Sequence, residues 1–158
     1  MEPCMWSAFL AEQDTETMVR TFAAKGWHAL ELSSEHSEAL LARGDPQRTG
    51  DALRRHAADL GVSFPQGHLS LAADIVGADA AHWVETLKRW LDLYVALGIR
   101  AAVLHPGRGD TASDATRTHS LGALTRHVRG TGLDICLESM PPGYRGHTAE
   151  DLLDILRQ

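Results

Sequence analysis

The sequence predicts an α/β protein built from repeated βα units around one parallel sheet of about five strands. Three observations carry that reading. Gly26, Gly61, Gly98 and Gly132 recur at spacings of 35, 37 and 34 residues, each between a helix-like tail and a short strand-like run. Amphipathic segments fill the intervals, and β, α, β, α in alternation is the pattern of a parallel sheet. The last strand-like run, in "GLDICLESMPPG" (132–143), sets Leu133, Ile135 and Leu137 on one face and Asp134, Cys136 and Glu138 on the other. One face apolar and the other small or polar describes a barrel wall, with helices outside and a polar centre.

In chain order, the strands are expected at Pro3 to Phe9, Trp27 to Leu32, Val62 to His68, Ile99 to His105 and Leu133 to Glu138. The four glycines are expected to stop the preceding helices, because glycine adopts the left-handed conformation of the C′ position at little cost. Helices are expected over 14–25, 49–60, 81–97, 118–130 and 147–158. The third is the clearest: Trp83, Leu87, Trp90, Leu91, Tyr94 and Leu97 recur at helical spacing, which makes them core, and Asp79 or its neighbours would start it. Thr148 and Asp151 are spaced like a capping box at the start of the last helix, Asp being a short substitute for the usual Glu.

Composition bounds the class. With 158 residues, 44% hydrophobic and 23% charged, the chain reads as one α/β domain over residues 1–158. A formal charge of −6 argues against nucleic acid or an anionic membrane as partner. Cys4 and Cys136 form no C-x-x-C pair, so a disulfide framework or zinc ribbon is not expected and a reducing cytoplasm is. The apolar stretch Met5 to Ala11 follows Glu2, lacks a basic leader and is broken by Ser7, so it is neither signal peptide nor membrane span.

The strands end in Glu31, His68, His105 and Glu138. In parallel α/β folds the carboxyl ends of strands carry the chemistry. Carboxylate and imidazole groups gathered at that rim suit Zn²⁺, Mn²⁺, Co²⁺ or Fe²⁺, and a carboxylate beside such a metal also moves protons.

The segments "GWHALELS", "GHLSLAADI", "GIRAAVLHPG" and "ICLESMPPGYRGHTAEDLLDIL" resemble the first five βα units of the sugar phosphate isomerase/epimerase-like TIM barrels, the xylose-isomerase-like superfamily. The resemblance covers essentially the whole chain. It implies a (β/α)8 TIM barrel, of which this sequence is a partial one. It also implies that Glu138 ligates a divalent metal (Mn²⁺, Co²⁺, Zn²⁺ or Mg²⁺) and acts as catalytic acid/base. His68 and His105 would line the substrate pocket and, as in the endonuclease IV branch, join Glu138 on the metal. Glu31 would lie at the pocket edge, on the substrate. The family completes its metal site with residues from strands six to eight. This sequence stops at "DILRQ", so an incomplete barrel lacking the last three βα units is expected.

The implied activity is that of a metal-dependent isomerase or epimerase acting on a small sugar, sugar phosphate or hydroxy-carbonyl compound by proton transfer through an enediolate. A carbohydrate-like small molecule is the expected partner, with a homo-oligomer an open option. Two alternatives stand beside it: a zinc-dependent endonuclease IV-like phosphodiesterase, which would need a basic face, and a non-catalytic partial-barrel binding module, since an open sheet leaves two edges and an uncovered face. Simpler roles are also defined. Glu138 could be a solvated strand end paired with Arg145, Cys136 a small core thiol, and "GRGD" (107–110) a mobile loop at the pocket mouth. His28, His36, His56, His82, His119, His127 and His147 read as helix or loop surface.

Overall fold

The computed structural model describes residues 3–158. It contains one five-stranded, all-parallel sheet in the order β1-β2-β3-β4-β5, comprising Met5–Trp6, Ala29–Leu32, Ser63–His68, Ala101–Leu104 and Asp134–Leu137. Each strand pairs with its sequence neighbours, as successive right-handed βα units require. Six α-helices accompany it: α1 (Thr15–Ala24), α2 (Ser34–Leu41), α3 (Pro46–Asp59), α4 (Ala80–Leu97), α5 (Asp114–Val128) and α6 (Ala149–Arg157). All five expected strands and all five expected helices are present.

The core lies between the helices and one face of the sheet. Leu30, Leu32, Phe64, Ala102 and Leu104 from the strands meet Leu53, Leu87, Trp90, Leu91, Tyr94 and Leu124 from the helices, all buried. Burying a leucine or phenylalanine in this way contributes roughly 1.5–3 kcal/mol. The other sheet face is far more open: Trp6, Asp134, Cys136 and Glu138 are exposed and Glu31 and His105 half-buried. Strand parity therefore works as expected, with one correction. Cys136 is an exposed thiol on the open face and not a small core residue.

The periodic glycines all have positive φ, from 69° to 83°. Three follow the last helical turn directly. Gly132 does not: α5 ends at Val128, Arg129 caps it, and Gly130 takes the first left-handed step. At α6, Thr148 accepts from the Asp151 amide as a cap should, but the Asp151 carboxylate turns to Arg145 and the Gly146 amide, so only half of the capping box forms. Asp79 does precede α4, without a side-chain cap bond.

Two further differences concern local structure. The first strand is only Met5–Trp6, because Ser7–Leu10 turns into a 3-10 helix. Helix α2 follows β2 immediately, in a segment whose short polar run gave no periodic signal. It buries His36, which is therefore not a surface residue: the ring is 2% exposed, with Nδ1 3.2 Å from Ser7 Oγ and 3.1 Å from Ser33 Oγ.

Candidate functional site

Three of the four strand-end residues come together. The ladders continue one step past the strands, Leu69 N donating to Val103 O and Glu138 N to Leu104 O, at 2.9 and 3.0 Å. His68 pairs with Val103, and Val103 with Cys136, so His68, His105 and Glu138 all project from the open face. Glu138 Oε2 lies 2.8 Å from His68 Nε2 and 3.2 Å from His105 Nε2. The two imidazoles meet edge to face, with ring centroids 5.2 Å apart. One ligand atom from each residue falls within 4.8 Å of the others.

The backbone beneath explains how His68 reaches this position despite Pro65 and Gly67. Tyr94, fully buried on α4, donates its hydroxyl to His68 O at 2.7 Å and lies 3.1 Å from Ser37 Oγ. A Cβ on residue 67 would stand 2.9 Å from the Tyr94 ring, so only glycine lets the phenol pass under the strand. Burial pushes the Tyr94 hydroxyl well above the ordinary phenol range, which keeps it a neutral donor.

The His68 ring is fixed from behind. Its Nδ1 lies 2.8 Å from Leu69 O, which places a proton on Nδ1 and leaves the Nε2 lone pair facing Glu138. Two lone pairs 2.8 Å apart require a positive charge between them, either a shared proton or a cation. A backbone carbonyl behind a ligating imidazole is also the usual arrangement that orients metal-binding histidines. The donor set of two imidazole nitrogens and a carboxylate oxygen therefore fits a divalent first-row metal cation such as Zn²⁺, Mn²⁺ or Co²⁺.

Glu31 stands apart from this group. It accepts from Gln66 Nε2 at 2.6 Å and lines the same cavity of about 450 Å³ together with Trp6, Ser34, His68, Leu71, His105 and Glu138. Trp6 and Leu71 are pocket residues that the strand-end pattern missed, one on the shortened first strand and one in the loop after β3. Their signal is exposure of large apolar side chains, 43% and 44%, visible only once the chain is folded.

Arg145 does not pair with Glu138. It pairs with Asp114, Asp151 and Asp154, which leaves the glutamate to the histidines. Arg117, fully buried, donates to Pro106 O, Gly109 O and Asp110 O in and beside the "GRGD" loop.

A parallel sheet covered on one face by helices, with ionisable groups at its carboxyl-terminal rim, has the makings of part of a TIM barrel, and comparison with known proteins defines which kind. The chain belongs to the xylose isomerase-like TIM barrel family, whose sequence profile matches residues 19–158. Comparison with curated protein sequences gives no match. Among solved structures, a D-tagatose 3-epimerase-like protein superposes with a TM-score of 0.78 at 17% identity, over 100% of this chain and 61% of that one. A D-psicose 3-epimerase gives 0.78 at 14%, over 99% and 59%. A xylose isomerase domain protein from Alicyclobacillus acidocaldarius subsp. acidocaldarius gives 0.74 at 15%, over 99% and 59%. At such identities the likeness is one of fold. The chain spans about three fifths of the length of these structures.

Proposed function

We propose that this chain forms the metal-holding part of an isomerase or epimerase acting on a small sugar or hydroxy-carbonyl compound. The carrying observation is the convergence of His68 Nε2, His105 Nε2 and Glu138 Oε2 on one point at the strand ends. The three residues would hold a divalent ion, with Glu138 also the catalytic acid/base. Bound there, such an ion supplies Lewis acidity toward a substrate carbonyl.

The chain's own groups do the rest. Leu69 O holds the His68 ring with its Nε2 toward the site. Glu138 keeps Oε2 toward the two imidazoles, and on a side chain 47% exposed to the cavity its Oε1 is available to take a proton from carbon beside a carbonyl and return it. Glu31, steadied by Gln66, is placed to accept a substrate hydroxyl, and Trp6 and Leu71 supply an apolar wall for the C–H face of a sugar. Residues 1–158 act in this proposal as one domain of a partial barrel in a reducing, cytoplasmic setting, in keeping with the exposed Cys136 thiol. Among the described residues no helix is long and apolar enough to cross a membrane. The cavity lining contains no Lys or Arg and the formal charge is −6, so a polyanionic phosphodiester is a poor fit.

The test is equilibrium dialysis of the chelator-stripped chain against Mn²⁺, Co²⁺ and Zn²⁺, with Glu138→Gln alongside. One ion per chain is expected, with affinity at least ten-fold lower in the variant. In D₂O the loaded chain should exchange the hydrogen beside the carbonyl of a ketose, followed by NMR, and the variant should not. Absence of a stoichiometric ion, or equal binding by both proteins, would reject the metal reading.

A further inference from the structure

We infer that one polar face of α5 is a positioning device for all three convergent donors, with Arg117 its central residue. This inference rests on the proposed site for its purpose and on geometry of its own for its substance.

Asp114, Arg117 and Ser120 are spaced three residues apart and share a face of α5. Each reaches a different loop. Ser120 Oγ donates to Ile75 O at 2.8 Å, in the loop after β3, the strand that ends in His68. Arg117 Nε donates to Pro106 O at 2.9 Å, and its terminal nitrogen reaches Gly109 O and Asp110 O at 3.3 and 3.4 Å, in the loop that begins at His105. Asp114 accepts from Arg117 and faces Arg145 Nε at 3.6 Å, in the loop that begins at Glu138.

The loops are also joined to one another. Arg145 N donates to Gly109 O at 3.3 Å and Asp74 Oδ1 accepts from Arg108 N at 3.4 Å, while Met140 N donates to Gly146 O at 3.0 Å within the loop after Glu138. Every loop that carries a donor is therefore tied to the same turn and a half of one helix.

Packing alone does not call for this arrangement. Arg117 is the largest fully buried side chain among the described residues, and burial works against its charge. A leucine or methionine would fill the space without that cost. What an apolar side chain cannot do is bind three loop carbonyls at once. His105 is the residue next to Pro106, so the Arg117–Pro106 bond sets where its imidazole stands, and the Asp114–Arg145 ion pair with the Arg145 N–Gly109 O bond ties the segment leaving Glu138 to the same helix and loop.

The experiment uses the full chain with Arg117→Met, Arg117→Lys and, should the first fail to fold, Ser120→Ala and Asp114→Asn. Thermal melting and far-UV circular dichroism report the fold; Co²⁺ affinity and the Co²⁺ visible spectrum report donor geometry. Folded Arg117→Met is expected to bind Co²⁺ roughly ten- to a hundred-fold more weakly, as loss of an orienting group commonly does, with a changed spectrum. Lys, which restores one or two of the carbonyl bonds, should recover part of the loss, and the two milder variants should lose a smaller factor each. Unchanged affinity and spectrum in a folded variant would overturn the inference.

A wild-type chain that binds no metal would reject the proposed function but still decide this point without metal. In that case ¹H–¹⁵N NMR of the imidazoles should show the His68 and His105 ring nitrogens displaced in Arg117→Met, and amide exchange at Glu138, Met140 and Arg145 ten-fold or more faster than in the wild type, with exchange in α3 unchanged. Unaltered ring nitrogens and exchange would overturn it.

Discussion

At the residue scale, the strand-end pattern picks out Glu31, His68, His105 and Glu138, while strand parity assigns a face only to Glu138, because Pro65 and Gly67 leave the direction of His68 open. It did not find Trp6, Leu71 or Arg117, whose roles depend on long-range placement. His36 shows the same limit: its burial comes from Ser7, 29 residues away, and leaves no local trace. That burial has a consequence in solution. Desolvation holds the His36 pKa below its ordinary value of about 6.5, against weaker opposing pulls from the Gln13 backbone, Glu35, the Leu10 backbone and Glu12. The unfolded chain therefore binds a proton more readily than the folded one, and stability rises with pH through this window. The contribution is fully present above about pH 6.5 and is lost as the pH falls toward the folded value. Urea midpoints at pH 7.5 and 5.0 should show a smaller drop in His36→Asn than in the wild type. Equal drops in both proteins would assign the acid sensitivity to other groups.

At the element scale, most of the fold was legible because glycine punctuation and helical periodicity are local properties. Helix α2 was not, and its start shows why: Ser33 makes no side-chain cap bond, its hydroxyl being turned to His36, and the eight residues bury Ser34, His36 and Ser37 as well as Leu40. A buried face made largely of polar residues hides the pattern that reveals other helices. The packing of α3 on α4 gives a prediction of sign. Gly50 lies mid-helix, where alanine would ordinarily gain about 1 kcal/mol of helix propensity. Its Cβ, however, would stand 2.6 Å from Ala96 Cβ and 2.9 Å from Leu93 O. The carbonyl belongs to a buried helix backbone and cannot rotate away, and overpacking of this kind costs about 1–3 kcal/mol. The steric cost exceeds the propensity gain, so Gly50→Ala should lower the urea midpoint. A raised midpoint would show that α3 and α4 separate easily.

At the scale of the whole molecule, the question is whether five βα units behave as one domain when one sheet face and both outer strands are uncovered. The core argues that they do, because it runs without a break from Met18 and Val19 on α1 to Val128 on α5 and Leu133 before β5. The least covered part is the β5–α6 end, where Ile135 and Leu137 are only half-buried and Leu153 and Leu156 are 49% and 65% exposed. A ladder of four paired positions between β4 and β5 holds it to the rest, together with the Arg145 contacts to Asp114 and Gly109 O and the Gln158 contacts to Thr118 and Asp114. Releasing the strand would strip water-shielded bonds from β4 as well, in the middle of the core, so partial detachment exposes polar groups on both sides. Unfolding should therefore be a single transition. Trp6, Trp27, Trp83 and Trp90 all lie outside β5 and α6, whereas far-UV circular dichroism sees every element, so the two signals can be set against each other. Their urea curves should superimpose after normalisation. A dichroism change that precedes the fluorescence change would mean that the β5–α6 end opens first, taking Glu138 away from His68 and His105 while the remaining sheet stays folded.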